Sequence, residues 1–455
     1  MRTIIIGAGV VGLNIASRLV DEGHDVTVVD TDQGALDRIS NSLDVNTVRG
    51  HGSHPKVLLS AMIQTAQMIV SVTDSDEVNM IACVNAGVLG DSELIRIARV
   101  REPSYSHPDI LDADPYGLNL IINPEQETAH RISALLRYPN VTEMLEFAEG
   151  RVHLVGVRVT SISPLAGIRL LEIRDRFSRV EFLIAAITRG DEVIIPTGAT
   201  VVLPGDEVHI VTRSKETEAV LSNVGIKVTP VKRVMIIGGS RTGLALATFL
   251  ERRGLVPKLV ESDERKANEL AEMLTSTVVI HGSPTDTRLL NEENASEMNT
   301  FVACDDREET NLMAALLGRE MGAKRIIVTT NEPEYRPLIK SAGADVCLSP
   351  RMVAVSSILH FIRRGRVVAV QALGDGEAAE ALEFEAQLAS DAVGVPLREL
   401  NLPRGALIAA LVREDSVLIP GGDTVINAGD HVVVLSRQEA VHPVERLLQR
   451  RVDRD

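Results

Sequence analysis

Aromatic side chains are scarce in this 455-residue chain: Phe, Tyr and Trp together make up 2%, and Trp is absent. Platforms that stack bases or sugar rings need several exposed rings, so base-stacking surfaces and sugar-binding clefts are not expected. Cysteine is nearly missing too. Cys83, Cys304 and Cys347 stand far apart and are odd in number. They offer neither a disulfide framework nor a Cys-x-x-Cys metal pair, and they suit a reducing cytoplasm. Long hydrophobic runs are lacking: stretches such as "EFLIAAI" at 181–187 are far too short to span a bilayer. Any membrane role is therefore expected to be peripheral. Positive charge is in deficit, with 47 Lys+Arg against 63 Asp+Glu, a net charge of −16 and a pI near 5.2. That balance argues against a nucleic-acid partner, although a basic protein surface could still be attracted locally. The amino terminus has no signal-peptide layout, because its apolar stretch "TIIIGAGVVG" is broken by glycines.

What is present is a duplication. The stretch "TIIIGAGVVG" matches "RVMIIGGSRTG", and "RGHGSHPKVLL" matches "VIHGSPTDTRLL". Further on, "TDSDEVNMIA" matches "DDREETNLMA" and "LIINPEQE" matches "VCLSPRMV". The pair "FLIAAITRGDEV" at 182 and "ALIAALVREDSV" at 406 keeps an offset of 224 through the following 20 residues. Order and spacing persist, as expected of an internal repeat.

Each copy reads as two parts. In residues 1–140 and 232–365, short apolar β-branched runs (Thr3–Ile6, Val26–Val29, Met68–Val72, Leu94–Ala98) alternate with amphipathic stretches. That pattern predicts a parallel sheet covered on both faces by helices. Residues 141–225 and 366–450 read as small α+β lobes with tight turns at Pro204-Gly205-Asp206 and Ala428-Gly429-Asp430. The stretch at 373–382, "LGDGEAAEAL", reads as a flexible acidic link. Asn123-Pro124 and Ser349-Pro350 each put a capping side chain before a proline at the first helical position. The helices that follow either cross between lobes, pack across a subunit interface, or are ordinary core helices.

Gly7-Ala8-Gly9-Val10-Val11-Gly12 follows a strand and opens a helix, which is the context a dinucleotide-binding fingerprint requires. Gly7 permits the tight turn, Gly9 lets backbone N–H groups approach a pyrophosphate, and Gly12 lets the helix pack closely on the strand. The helix amino terminus adds N–H donors and partial positive charge. Asp30 lies 18 residues after Gly12, placed to accept from an adenosine ribose and to repel a 2′-phosphate. NAD(H), ADP or ATP is thus favoured over NADP. Thr73 and Asp74 are expected at the end of the fourth strand, with Arg99 as a phosphate partner or a solvated surface arginine. Asp74 with Glu77, and Asp306 with Glu309, also have capping-box spacing.

The second fingerprint is degraded. Gly238-Gly239-Ser240-Arg241-Thr242-Gly243 puts Ser240 at the middle glycine, where a Cβ is expected to restrict φ and crowd a pyrophosphate. Glu261 keeps the ribose acid, again 18 residues after Gly243. The position matching Arg99 falls near Val328-Thr329, and Arg241 is a candidate replacement. A different nucleotide mode or weaker binding is expected there. His51 and His54 in "GHGSHP" lack nearby ligands at metal spacing and read as turn residues. Cys304 reads as packing.

A dehydrogenase would need an acid/base pair beside the nicotinamide. The lobes carry only scattered histidines, His153 and His209, and they repeat each other. Taken together, the tandem fingerprints, "GHGSHP", "TDSDEVNM", "INPEQ" and "IPTGATVVLPGDEV" resemble the TrkA family. Its members are cytoplasmic nucleotide-binding regulatory subunits of Trk potassium-uptake systems, with each copy similar to an RCK (regulator of potassium conductance) N-domain followed by an RCK C-domain. The resemblance implies two tandem Rossmann-like α/β domains, each with a small lobe, and no catalysis. It implies binding of NAD(H), with ATP or ADP as further ligands, on Gly7–Val11, Asp30, Thr73, Asp74 and Arg99. In the second half those contacts fall on Gly238–Thr242 and Glu261. It also implies a homo-oligomer, a tetrameric ring, on the inner face of the membrane beneath a potassium-translocating subunit of TrkH type. The alternatives are an NAD-dependent oxidoreductase and a regulator of another potassium channel or antiporter.

Overall fold

The opening strand, β1 (Arg2–Ile6), is buried along almost its whole length, as an apolar run must be when both sheet faces are covered. In this computed structural model, which describes residues 1–106, 116–138, 140–190, 192–228, 231–332, 334–362, 369–372 and 379–448, β1 lies inside a six-stranded sheet. Its partners are β2 (Asp25–Asp30), β3 (Asn46–Arg49), β4 (Met68–Ser71), β5 (Ile95–Arg99) and β6 (Leu120–Ile122). The order is β3-β2-β1-β4-β5-β6, parallel throughout. Strand order reverses between β1 and β4, which opens a crevice at the carboxyl ends of the strands. The helices are α1 (Val10–Asp21), α2 (Gln33–Ser42), α3 (Pro55–Ser60), α4 (Asp76–Leu89) and α5 (Pro124–Arg137). Helix α1 buries Val11, Gly12, Ile15, Ala16 and Leu19, one face at helical spacing.

The second copy repeats the plan. Strands β12 (Val234–Ile237), β13 (Lys258–Glu261), β14 (Val278–His281), β15 (Thr300–Ala303), β16 (Ile326–Thr329) and β17 (Val346–Leu348) run β14-β13-β12-β15-β16-β17.

The first lobe is an antiparallel sheet ordered β10-β9-β11-β8-β7. It comprises β7 (Val141–Phe147), β8 (Val152–Arg158), β9 (Phe182–Arg189), β10 (Glu192–Ile194) and β11 (Glu207–Arg213), with α6 (Ile173–Arg176) and α7 (Thr217–Asn223). The second Rossmann-like copy adds α8 (Arg241–Arg252), α9 (Glu264–Met273), α10 (Thr287–Glu292), α11 (Glu308–Glu320), α12 (Tyr335–Ser341) and α13 (Pro350–Ile362). The second lobe, β18-β19-β22-β20-β21, has the same topology. Its elements are β18 (Ala369–Ala372), β19 (Ala379–Glu385), β20 (Ala406–Arg413), β21 (Ser416–Leu418), β22 (His431–Arg437) and α14 (Val441–Leu448). Of the stretch read as an acidic link, 373–378 lie outside the described residues. The rest, 379–382, is not a link but the start of β19.

The lobe sheets pack through small residues, Ala185 and Ala186 against Ala379, Ala381, Ala409 and Ala410. Two reciprocal arginines join them: Arg213 Nε donates to the Val417 carbonyl at 2.8 Å and Arg437 to the Val193 carbonyl at 2.9 Å. The duplication extends to buried carboxylates. Asp206 accepts both arms of Arg189, and Asp430 both arms of Arg413, all within 2.8–2.9 Å.

Two compact units form. Met1–Thr128 clusters with Ser349–Phe361, and the described residues from Ala129 to Leu348 and from Ile362 onward form the other. Helix α13 therefore belongs with the first sheet, where the Ser357 hydroxyl donates to Glu127. The later half of α5 belongs with the second: Ala129, Ile132, Leu135 and Leu136 share a core with Ile236, Leu246 and Leu259. Both proline-started helices are capped as their sequences predict, by Asn123 Oδ1 on the Gln126 N–H at 3.0 Å and by Ser349 Oγ on the Met352 N–H at 3.4 Å.

Candidate functional site

The turn after β1 is built by three glycines with different duties. Gly7 sits at φ +111°, a region that L side chains rarely adopt, and a Cβ there would press on the backbone of Val72 and Thr73. A Cβ on Gly12 would lie 1.9 Å from the Gly7 carbonyl oxygen, so only glycine lets α1 start so close to the strand. Gly9 differs. Its backbone is extended, and a Cβ would meet nothing within 4 Å. What Gly9 keeps clear is therefore the approach from outside. No side chain caps α1, so its first-turn N–H groups face that opening.

Asp30, at the end of β2, accepts the Ala8 N–H on Oδ2 at 2.6 Å and the Asp32 N–H on Oδ1 at 2.9 Å. Each oxygen thus holds one backbone donor and retains a second lone pair. Across the strand-order reversal, Thr73 and Asp74 lie just past β4 rather than within it. Asn79, buried on α4, holds this loop: its Oδ1 accepts the Thr73 N–H at 2.8 Å, and its Nδ2 donates to the Thr73 and Arg99 carbonyls. Arg99 is 7% exposed, which rules out a solvated surface role. It donates to the Thr73 carbonyl at 2.9 Å and to Asp74 Oδ1 at 2.8 Å, while its Nε is buried without a partner. The fold brings Thr73, Asp74 and Arg99 together. Asp74 is not a helix cap. Ser75 performs that task on the Val78 N–H, because α4 begins one residue later than capping-box spacing on Asp74 requires. Asp306 is likewise no cap, since Arg307 holds that position on α11.

The second turn shares the backbone but not the surroundings. Gly238 adopts φ +96°, and a Cβ on Gly239 would collide with Leu270 and Glu261. Ser240 sits at φ −57°, ψ 170°, close to the extended backbone of Gly9. The expectation that its Cβ restricts φ is therefore wrong, since any L residue adopts that conformation. The side chain instead turns inward. Its hydroxyl donates to the Cys304 carbonyl and accepts the Gly243 N–H at 3.2 Å, capping α8. Thr242 is buried and Arg241 exposed on the first turn of α8. Thr329 occupies the register of Arg99, because Val70 pairs with Ile97 as Val302 pairs with Ile327. Asn311 repeats the work of Asn79, binding Asp305 and the Thr329 carbonyl. Burial pushes the Cys304 thiol up to about 12, which keeps it inert.

The asparagines, and Lys266 with its contacts to Glu261 and Asp306, were missed by sequence reading. An asparagine recurring inside an apolar helix in both copies was the available signal. His51 hydrogen-bonds Ser53 and stacks on His54, and among the described residues no three His, Cys, Asp or Glu side chains cluster to hold a metal. His209 lies 3.1 Å from Glu143, and His153 bonds Thr217 within the first lobe.

The fold and its turns define a tandem Rossmann-like α/β protein of the kind that holds adenine nucleotides at strand switch points. The TrkA-N domain family matches residues 3–124 and 234–350, and the TrkA-C domain family matches 154–225 and 382–449. The chain belongs to the TrkA family of potassium-uptake proteins. It is 38% identical over 453 residues to the Trk system potassium uptake protein TrkA of Halomonas elongata, covering 99% of each chain. It is 37% identical over 454 residues to that of Vibrio alginolyticus, again covering 99% of each. In fold it is similar to a solved structure described as the GsuK channel bound to NAD, with TM-score 0.62 and 19% identity over 98% of this chain and 78% of that one.

Proposed function

We propose that the chain is a cytoplasmic regulatory subunit that binds NAD(H), and competitively ADP or ATP, and gates a membrane potassium-translocating subunit of TrkH type. One observation carries the reading: the first turn presents uncapped helix N–H groups at the open Gly9 face, with Asp30 and the under-satisfied Arg99 at the ends of β2 and β5. In this reading the Gly9 face admits the pyrophosphate, Asp30 accepts the ribose hydroxyls, and Arg99 with Thr73 and Asp74 steadies the phosphates. The bound nucleotide would supply charge and bulk, not chemistry. A ligand shifts a two-state assembly only through different affinities for its states, so binding rather than turnover is the output.

No helix among the described residues is long and apolar enough to cross a membrane, which supports a peripheral placement. Exposed apolar residues on α4 (Ile81, Val88) and on α11 (Met313, Leu316) offer contacts for self-association, and the assembly we propose is a tetrameric ring. Calorimetry with NADH, NAD, ADP and ATP on wild type and Gly9→Asp tests the reading. Wild type should bind and the aspartate variant, with side chain and charge in the pyrophosphate path, should not. Equal binding by both would overturn the assignment, as would steady consumption of NADH.

A further inference from the structure

Around the second turn, cations stand where the first half is uncharged: Val10 corresponds to Arg241, Gly34 to Arg265, Ala35 to Lys266 and Ser75 to Arg307. Lys266, in the first turn of α9, is the one that bridges. Its ammonium lies 3.2 Å from Asp306 Oδ2 and 3.6 Å from Glu261 Oε2. It thereby ties the acid ending β13 to the loop after β15, across the same strand-order reversal that opens the crevice in the first copy.

Glu261 is correspondingly spent. Its Oε2 takes the Gly239 N–H and faces Lys266, while its Oε1 takes the Asp263 N–H and the Ser262 hydroxyl. It is 4% exposed. Asp30, holding one donor per oxygen, keeps capacity that Glu261 lacks. Ser240 has also taken up the Gly243 N–H at the head of α8.

We propose that Lys266 locks the second turn against adenine dinucleotides, leaving one open site and one self-satisfied turn in each chain. This rests on the reading that the first turn binds NAD(H). Neutral ribose hydroxyls would have to displace an ammonium–carboxylate contact while bringing no anion in exchange. The pyrophosphate would meet an amino terminus already capped by serine. Burial on its own would raise the Glu261 carboxyl, but the Asp263 and Gly239 N–H groups and the Lys266 charge outweigh it and hold it as a carboxylate.

The test uses the full-length chain with the first turn silenced by Gly9→Asp, titrated with NADH in a calorimeter. That protein should give no second-turn binding. Adding Lys266→Met, a half-exposed helix-surface change, should produce binding of one NADH per chain, at least roughly tenfold tighter than the background. Adding Ser240→Gly should tighten it further, and Lys266→Arg, which keeps the cation, should leave it silent. Lys266→Gln repeats the measurement independently should the methionine variant fold poorly. The lock is wrong if the Gly9→Asp chain already binds NADH as tightly as wild type, or if neither Lys266→Met nor Lys266→Gln changes binding. If wild type itself binds no NADH, the functional reading falls, while the comparison among Lys266 variants still decides the lock.

Discussion

The Ala8 backbone N–H donates to Asp30 Oδ2 at 2.6 Å, so the acid that ends β2 also fastens the turn that follows β1. Asp30→Ala should therefore damage the site twice, freeing the Ala8 and Asp32 N–H groups and removing the ribose acceptor. Charge-assisted hydrogen bonds of this kind contribute about 1.5–3 kcal/mol, so NADH affinity should fall by roughly 10- to 100-fold. Calorimetry on the variant reads it, and unchanged affinity would remove Asp30 from the site.

Arg325 is 5% exposed and donates to the Leu135, Tyr138 and Val141 carbonyls, where α5 ends and β7 begins. It adds a charged donor to the Leu135 and Tyr138 carbonyls, which also accept the Tyr138 and Val141 N–H groups, and it faces the negative end of the helix dipole. Burial pulls its guanidinium down to about 10, still protonated at neutral pH. Arg325→Met should remove three buried hydrogen bonds from a charged donor and destabilise the fold by about 2–4 kcal/mol. Urea denaturation measures this. Arg325→Lys should not rescue it, because one ammonium lacks the planar fork that spans three carbonyls.

Glu251, on α8, grips the segment ahead of β14. Burial on its own would raise its carboxyl, but the Thr277 hydroxyl and the N–H groups of Ser276, Thr277 and Thr275 outweigh it and bring it to about 2. A depressed acid stabilises the fold fully above its unfolded value, near 4.5, and loses that contribution as pH falls toward 2. Glu251→Gln should thus melt lower than wild type at pH 7, with the gap closing between pH 4.5 and 2. A gap that stays constant across that range would show that the carboxylate charge contributes nothing.

Much of this architecture was legible beforehand because its signals are local. Gly7 and Gly12 answer to a backbone angle and a carbonyl within five residues of chain, and Asn123-Pro124 caps its own helix. Of the two readings of Asp74, the capping one fails because capping depends on where α4 starts, and a one-residue shift hands the task to Ser75. Ser240 was half read: its identity was plain, but the inward rotamer that spends the Gly243 N–H depends on the Cys304 carbonyl, 64 residues away.

By itself the sequence determined the duplication, the two parallel sheets and the turns, because periodic apolar runs and glycines at fixed spacing restrict the backbone wherever they occur. Only the tertiary structure decided which half of α5 joins which core, that Asn79 and Asn311 brace the loops, and that Lys266 reaches Asp306 while Ala35 reaches nothing comparable. Those outcomes join residues brought close by strand order rather than by chain position. A side chain's partner is fixed only once the sheet has set the two strand ends side by side.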